Sequence, residues 1–283
     1  MDDLNFTVPP AKPSYDTRVA LKYFKASGST MSVAAGQTIF VENEKSNPLL
    51  LQRDKMYFLV EGEVDLTVNQ THVCVMHDGE LFGEMGLITG MPRTATARAI
   101  TDCRLYSLTG SQLRTALSTA PEFGLLLMSI MITRLRDSIA FLKANGTLAG
   151  HEELKDAEIF DKKMLDKLAG ELDDNAHFRY AAGKAIIQEG QSGLFMYVVL
   201  KGTVEIAVQN NVVGKIERGG IFGEMALITR EERVASAMAI TDCELLAISR
   251  SVFLDLVCSN PKFAVSMLSA VGNRARFMAA LRG

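Results

Sequence analysis

The sequence predicts a mainly β protein with α-helices, organised as two tandem domains. Each domain reads as a β-rich sandwich or barrel with flanking helices. Three observations carry this. Residues 82–105 read FGEMGLITGMPRTATARAITDCRL, and residues 222–245 answer with FGEMALITREERVASAMAITDCEL, identical at roughly two positions in three and about 140 residues away. That spacing fits whole domains, not a stacked solenoid unit, and 283 residues suffice for two domains with a core each. Within each repeat, short β-rich segments punctuated by glycine come first and helical patterns follow.

In chain order, residues 1–19 open on MDDLNFTVPPAKPSYD, an acidic, proline-containing stretch unlike a signal peptide and read as a flexible segment. Domain A is assigned to 20–147 and begins with a helical stub at Thr17–Phe24. Strands are predicted at Thr38–Val41, Met56–Val60, Val64–Val68 and His72–Met76, with turns at Ala35-Gly36, Glu61-Gly62-Glu63 and Asp78-Gly79-Glu80. A helix over Glu122–Leu142 follows Pro121, with Phe123, Leu127, Ile130, Met131, Leu135, Ile139 and Leu142 at helical spacing. Ala144–Glu152 reads as the linker. Domain B, 148–283, begins with a helix over Phe160–Leu172, repeats the glycines at 183, 202 and 219, and closes on a helix over Lys262–Leu281 after Pro261. The first repeat is longer by about seven residues between Val41 and Met56, where Leu49, Leu50 and Leu51 read as either loop drift or a partner contact.

Composition is that of a globular protein, 48% hydrophobic and 22% charged, with a net charge of −3. That balance gives no electrostatic reason to expect a nucleic acid or an anionic membrane as partner. No apolar run is long enough to span a bilayer, so a cytoplasmic location is the default. Cys103 and Cys243 fall at matching places in apolar stretches and read as buried small hydrophobes. His72 and His77 lack a metal-ligand spacing, and no metal site is expected. Neither a nucleophile elbow nor a phosphate-binding Walker loop is present, so the chain reads as a non-enzyme.

The repeated block carries the chemistry. Phe82 ends a β segment, and Gly83 permits a tight turn into a short helical stretch at Glu84–Ile88. The first N–H groups of that stretch lack intrahelical partners and favour an anion. Arg93 returns across the turn with a fork of donors suited to phosphate. Glu84 repels phosphate but accepts from a sugar hydroxyl. Gly86 and Ala226 are small enough to let a ligand approach the backbone. The unit therefore suits ribose plus phosphate, although glutamate and arginine can also simply pair with each other.

The string F-G-E-M-[G/A]-L-x5-R-x-A-[T/S], with its upstream turn glycines, resembles the phosphate-binding cassette of the cyclic-nucleotide-binding domain family. That family includes catabolite activator proteins and regulatory subunits of cAMP-dependent kinase. The resemblance covers nearly all of 20–283 and implies that each domain is a β jelly roll. It also implies a ligand, cAMP or cGMP, at Gly83, Glu84, Met85, Gly86, Arg93, Thr94 and Ala95, and again at Gly223, Glu224, Met225, Ala226, Arg233, Val234 and Ala235. Glu84 and Glu224 would accept from the ribose 2′-hydroxyl, and Arg93 and Arg233 would pair with the cyclic phosphate. Thr94 resembles cGMP-binding members at the base edge, whereas Val234 has no hydroxyl. The long helices would cover the base through Ser138 and Phe141 in the first domain and Phe277 and Met278 in the second.

A DNA-binding helix-turn-helix after the last helix is not expected, and 1–19 holds no Arg-Arg-x-Ser/Ala stretch. The reading is a stand-alone receptor, bacterial in type. It would signal to an unidentified partner protein in trans by ligand-dependent movement of its C-terminal domain helices. The alternatives are a scaffold that binds no nucleotide and a subunit that inhibits a kinase or other enzyme. The chain is either a homodimer or an intramolecular pseudo-dimer of its two long helices.

Overall fold

The computed structural model describes residues 15–45, 54–148, 154–155, 159–172 and 174–281. The three-leucine segment at 49–51 and most of the expected flexible N-terminus lie outside the described residues. The chain divides into two compact units between Ala116 and Leu117.

The first unit begins with α1 (Thr17–Ser27), capped by the Asp16 carboxylate, which accepts from the Arg18 N–H. Eight strands follow: β1 (Ser29–Val33), β2 (Thr38–Phe40), β3 (Lys55–Glu61), β4 (Val64–Val68), β5 (Thr71–Met76), β6 (Leu81–Phe82), β7 (Thr96–Ala99) and β8 (Cys103–Thr109). A short helix, α2 (Glu84–Thr89), separates β6 from β7. The strands form two antiparallel four-stranded sheets, ordered β1-β8-β3-β6 and β2-β7-β4-β5. Alternating side chains fill the space between them with Val33, Leu59, Val64, Ala97, Leu105 and an aromatic group of Phe40, Tyr57 and Phe82. Tyr57 stacks on Phe82 at 5.3 Å and on Phe40 at 5.9 Å between centroids. Cys103 is buried in this core, its Sγ donating to the Glu63 carbonyl at 3.3 Å. His72 is used in a cross-strand pair with Asp65, 2.7 Å away.

Helix α3 (Gly110–Thr119) runs over the division, and the second unit then takes in α4 (Glu122–Asn145), which Gly146 closes in the left-handed conformation. A two-residue strand, β9 (Leu154–Lys155), and helix α5 (Lys162–Glu171), capped by Asp161, lead into the second set of strands. These are β10 (His177–Tyr180), β11 (Ala185–Ile187), β12 (Phe195–Lys201), β13 (Val204–Val208), β14 (Asn211–Ile216), β15 (Ile221–Phe222), β16 (Ser236–Ala239) and β17 (Cys243–Ser249), with α6 (Glu224–Thr229) between β15 and β16. The two-sheet pattern returns as β10-β17-β12-β15 and β11-β16-β13-β14, the latter extended by β9 parallel to β14. Each repeat is thus the expected jelly roll with flanking helices. Helix α7 (Arg250–Ser259) and helix α8 (Pro261–Ala280) complete the unit, α8 starting on an Asn260 cap with Pro261 in its first turn.

The strand and long-helix expectations hold to within a few residues at their ends, whereas α3 and α7 were not foreseen. Helix α4, the last helix of the first sequence repeat, packs along α8 and against α6 inside the second unit. Among the described residues no helix is long and apolar enough to cross a membrane.

Phe263 anchors this helical layer. It stacks on Phe160 at 5.4 Å and meets Phe253 edge-on at 5.8 Å, all three fully buried. Phe263→Ala is expected to lower the stability of the second unit by about 3–5 kcal/mol, read as an earlier urea midpoint. An unchanged midpoint would contradict this packing role.

Candidate functional site

Each cassette is built on a glycine that no other residue replaces without strain. Gly83 and Gly223 sit at φ 74° and 82°, ending β6 and β15 and turning the chain into α2 and α6. A Cβ at Gly223 would lie 2.6 Å from the Arg233 Nη1, and one at Gly83 would lie 3.2 Å from the Arg93 Nη1. The turn points the next residue inward, so Glu84 and Glu224 are each only 1% exposed.

The arginines close the same turn. Arg233 is 8% exposed; its Nη1 donates to the Gly223 carbonyl at 2.6 Å and its Nη2 to the Phe195 carbonyl on β12. Arg93 repeats the arrangement, donating to the carbonyls of Gly83 at 2.8 Å and Lys55 at 2.9 Å. In neither repeat is the arginine's hydrogen-bonding fork directed at the cassette glutamate, so the simple Glu–Arg pair left open by the sequence is not what forms. Burial pushes the Arg233 guanidinium below the usual arginine range, opposed by nearby Tyr197 and Glu224.

Glu224 has a different partner. Arg274 on α8 donates from Nη1 to the Glu224 Oε1 at 2.7 Å and from Nη2 to the Ile221 carbonyl. The long helix is thereby tied to the floor of the second cassette by a buried ion pair. Sequence reasoning missed Arg274. The signal was available in the repeat itself, since Arg274 follows Glu224 at the spacing by which Arg134 follows Glu84.

Around the second cassette lies a cleft of about 110 Å³. Gly223, Glu224, Met225, Ala226, Arg233, Val234 and Ala235 all line it, with Arg274 and Met278 from α8. Val208 and Val213 form a hydrophobic wall, and Leu135 and Ile139 of α4 complete it. Ser138 is buried on α4 and Phe141 is exposed on it; Phe277 is half-buried on α8, and none of these three lines the cleft.

In the first cassette, Gly83, Glu84, Met85 and Gly86 occupy the β6–α2 turn, and Thr94 and Ala95 form the half-buried bend before β7. Arg93 has two further neighbours there. Its guanidinium lies over the Phe40 ring at 4.4 Å, and the Asp54 carboxylate is 3.7 Å away. The corresponding residues in the second repeat are Ile187 and Leu194, and Leu194 is 76% exposed. Among the described residues, Arg233 is therefore held by carbonyls and Arg93 by carbonyls, a carboxylate and a ring.

The family model for the cyclic nucleotide-binding domain matches residues 30–120 and 177–260. A cAMP-dependent protein kinase regulatory subunit of Eremothecium gossypii is 28% identical over 227 residues, covering 80% of this chain and 43% of that protein. A cAMP-dependent protein kinase type II regulatory subunit of Drosophila melanogaster is 27% identical over 190 residues, covering 66% of this chain and 45% of that protein. The chain thus spans less than half the length of these curated relatives. Among solved structures, the regulatory domain of Toxoplasma gondii PKA in a co-crystal with cAMP is 21% identical, covering 88% of this chain and 87% of that one, with a TM-score of 0.31.

Removing Arg274 strands the Glu224 charge in the protein interior. Arg274→Met is expected to cost about 3–5 kcal/mol of second-unit stability, and Arg274→Met/Glu224→Met to regain most of it. Urea unfolding of the two variants beside wild type checks this; equal losses in both would show that the pair is not what α8 relies on.

Proposed function

The chain belongs to the cyclic nucleotide-binding domain family, with two tandem copies of the domain, and from that premise we propose that it is a cyclic-nucleotide receptor that regulates a partner protein. The domains are taken as 20–147 and 148–283. The observation that supports the reading most is the buried Arg233 guanidinium, facing a cleft and held by carbonyls. A buried cation without a carboxylate partner is costly, and an arginine carries five N–H donors, of which two serve the turn. A cyclic phosphate entering the cleft supplies the missing negative charge, helped by main-chain N–H groups around Ala226 and Ala235. The ribose 2′-hydroxyl then donates to Glu224. Glu84 and Arg93 play the same parts in the first domain, and the base lies against the hydrophobic wall.

The Glu224–Arg274 pair gives the signal a route. A hydroxyl that competes for Glu224 changes how firmly α8 is held, and movement of α8 changes the surface offered to the partner. The names of the relatives favour the catalytic subunit of a protein kinase as that partner, which makes the chain a regulatory subunit. They favour cAMP as ligand at the second site, while Thr94 keeps cGMP as the alternative at the first.

Calorimetric titration with cAMP, and separately with cGMP, tests the reading. Saturable binding is expected, lost site by site in Glu84→Ala/Arg93→Ala and Glu224→Ala/Arg233→Ala. Flat traces at ligand concentrations near ~1 mM, equivalent to only about −4 kcal/mol, would leave the non-binding scaffold in its place. The two sites are also expected to respond differently to one change. Asp54 competes with an incoming phosphate for Arg93, so Asp54→Ala is expected to strengthen first-site binding by up to about fivefold, the worth of a partly exposed ion pair, and to leave the second site unchanged.

A further inference from the structure

We propose that helix α4, the last helix of the first sequence repeat, is the outer wall and clamp of the second nucleotide site, with Arg136 and Lys143 as its positioning residues. The proposal rests on the nucleotide reading of the second cassette and adds the helix that shapes it.

Helix α4 reaches that site at three places. Leu135 and Ile139 line the cleft beside Met278 of α8. Next to Leu135 on α4, Arg136 grips the cassette from outside. Its Nη2 donates to the Glu232 carbonyl at 3.0 Å, and its Nε lies 2.8 Å from the Glu231 Oε2, an ion pair without a directed hydrogen bond. Glu232 immediately precedes Arg233, so the grip falls on the segment that sets the height of the phosphate-facing arginine. Near the end of α4, Lys143 pairs with Glu189 at 2.5 Å, and the other Glu189 oxygen accepts the Gln209 N–H at 2.8 Å. Gln209 opens the left-handed turn between β13 and β14. That hairpin carries Val208 and Val213, the hydrophobic wall of the cleft.

The two repeats differ in the residues of this loop. In the first, Met91 and Pro92 stand where Glu231 and Glu232 stand in the second, so that loop offers no carboxylate to an arginine. The glutamate that holds the hairpin is common to both repeats, since the Glu42 carboxylate accepts the Asn69 N–H at 2.7 Å. In the second repeat Lys143 is added to it. Two charged residues on one helix thus hold the cassette loop and the hairpin, two rims of one cleft.

The test uses the full chain. Hydrogen exchange is measured without ligand, and the second-site dissociation constant is measured by calorimetry with cAMP. In Arg136→Ala, exchange is expected to quicken at 229–235 and second-site binding to weaken about tenfold, the equivalent of one charge-assisted hydrogen bond, with first-site binding unchanged. In Lys143→Ala, exchange is expected to quicken at 208–212. Arg136→Lys, which keeps a charged donor for the Glu232 carbonyl, is expected to retain most of both readouts, whereas Arg136→Met, which keeps only the apolar stem, is expected to behave as Arg136→Ala. Wild-type exchange and affinity in Arg136→Ala would overturn the proposal. If the wild-type second site takes neither cAMP nor cGMP, the nucleotide reading falls, and exchange in the ligand-free chain still decides whether α4 clamps the cassette.

Discussion

A guanidinium bridging two backbone carbonyls holds each cassette together. Arg93 joins the Gly83 carbonyl at the start of α2 to the Lys55 carbonyl at the start of β3, and Arg233 joins Gly223 to Phe195 in the same way. The bridge forms only because the glycine lies in the left-handed region, where its carbonyl turns toward the arginine and no Cβ stands in the way. With the turn fixed, the following glutamate is driven into the interior, where it needs a hydrogen-bonding partner. In the second unit that partner is Arg274, which places α8 over the cleft. The position of the long helix follows from the turn through two buried charges.

The same bridge is differently loaded in the two repeats. Arg93 sits against the face of Phe40 with a carboxylate 3.7 Å away, so its charge is already partly answered within the protein. At Arg233 the ring is replaced by Ile187 and the carboxylate by Leu194, and among the described residues its fork meets carbonyls, with Tyr197 and Glu224 nearby. Two sites that read almost alike in sequence therefore differ in how far the arginine's charge is answered within the protein. The difference comes from residues on β2 and just before β3, outside the repeated block.

Much of this was legible in the sequence because it is local. Val64–Val68 and its neighbours announce themselves by β-branched residues between glycine turns, and Pro261 marks the start of α8. The cassette is a run of adjacent residues with one arginine nearby, so its chemistry is readable from spacing. What was not legible is long-range or weakly patterned. Helices α3 and α7 are short, with only a few buried residues each to set a period. Arg274 reads as one more charge on an amphipathic helix until Glu224 is seen beside it. The contribution of α4 to the second cleft depends on which neighbour its hydrophobic face meets, and periodicity reports the face but not the neighbour.

That last point bears on how the chain is divided. By repeat, α4 ends the first domain; by packing, it belongs to the second unit. Its sequence accounts for both. Eleven of its residues are buried, including Phe123, Leu127, Met131 and Leu135, more than one narrow stripe provides, and a helix apolar on most sides must be covered on most sides. Packing along α8 covers much of that surface, and the charges left at the edges, Arg136 and Lys143, fall opposite Glu231 and Glu189. A helix that leaves one β-roll and is buried by the next cannot shift without disturbing both its charge pairs and its buried surface. In a receptor, such a helix makes occupation of the second site a property of the chain that leads into it, not of the second roll alone.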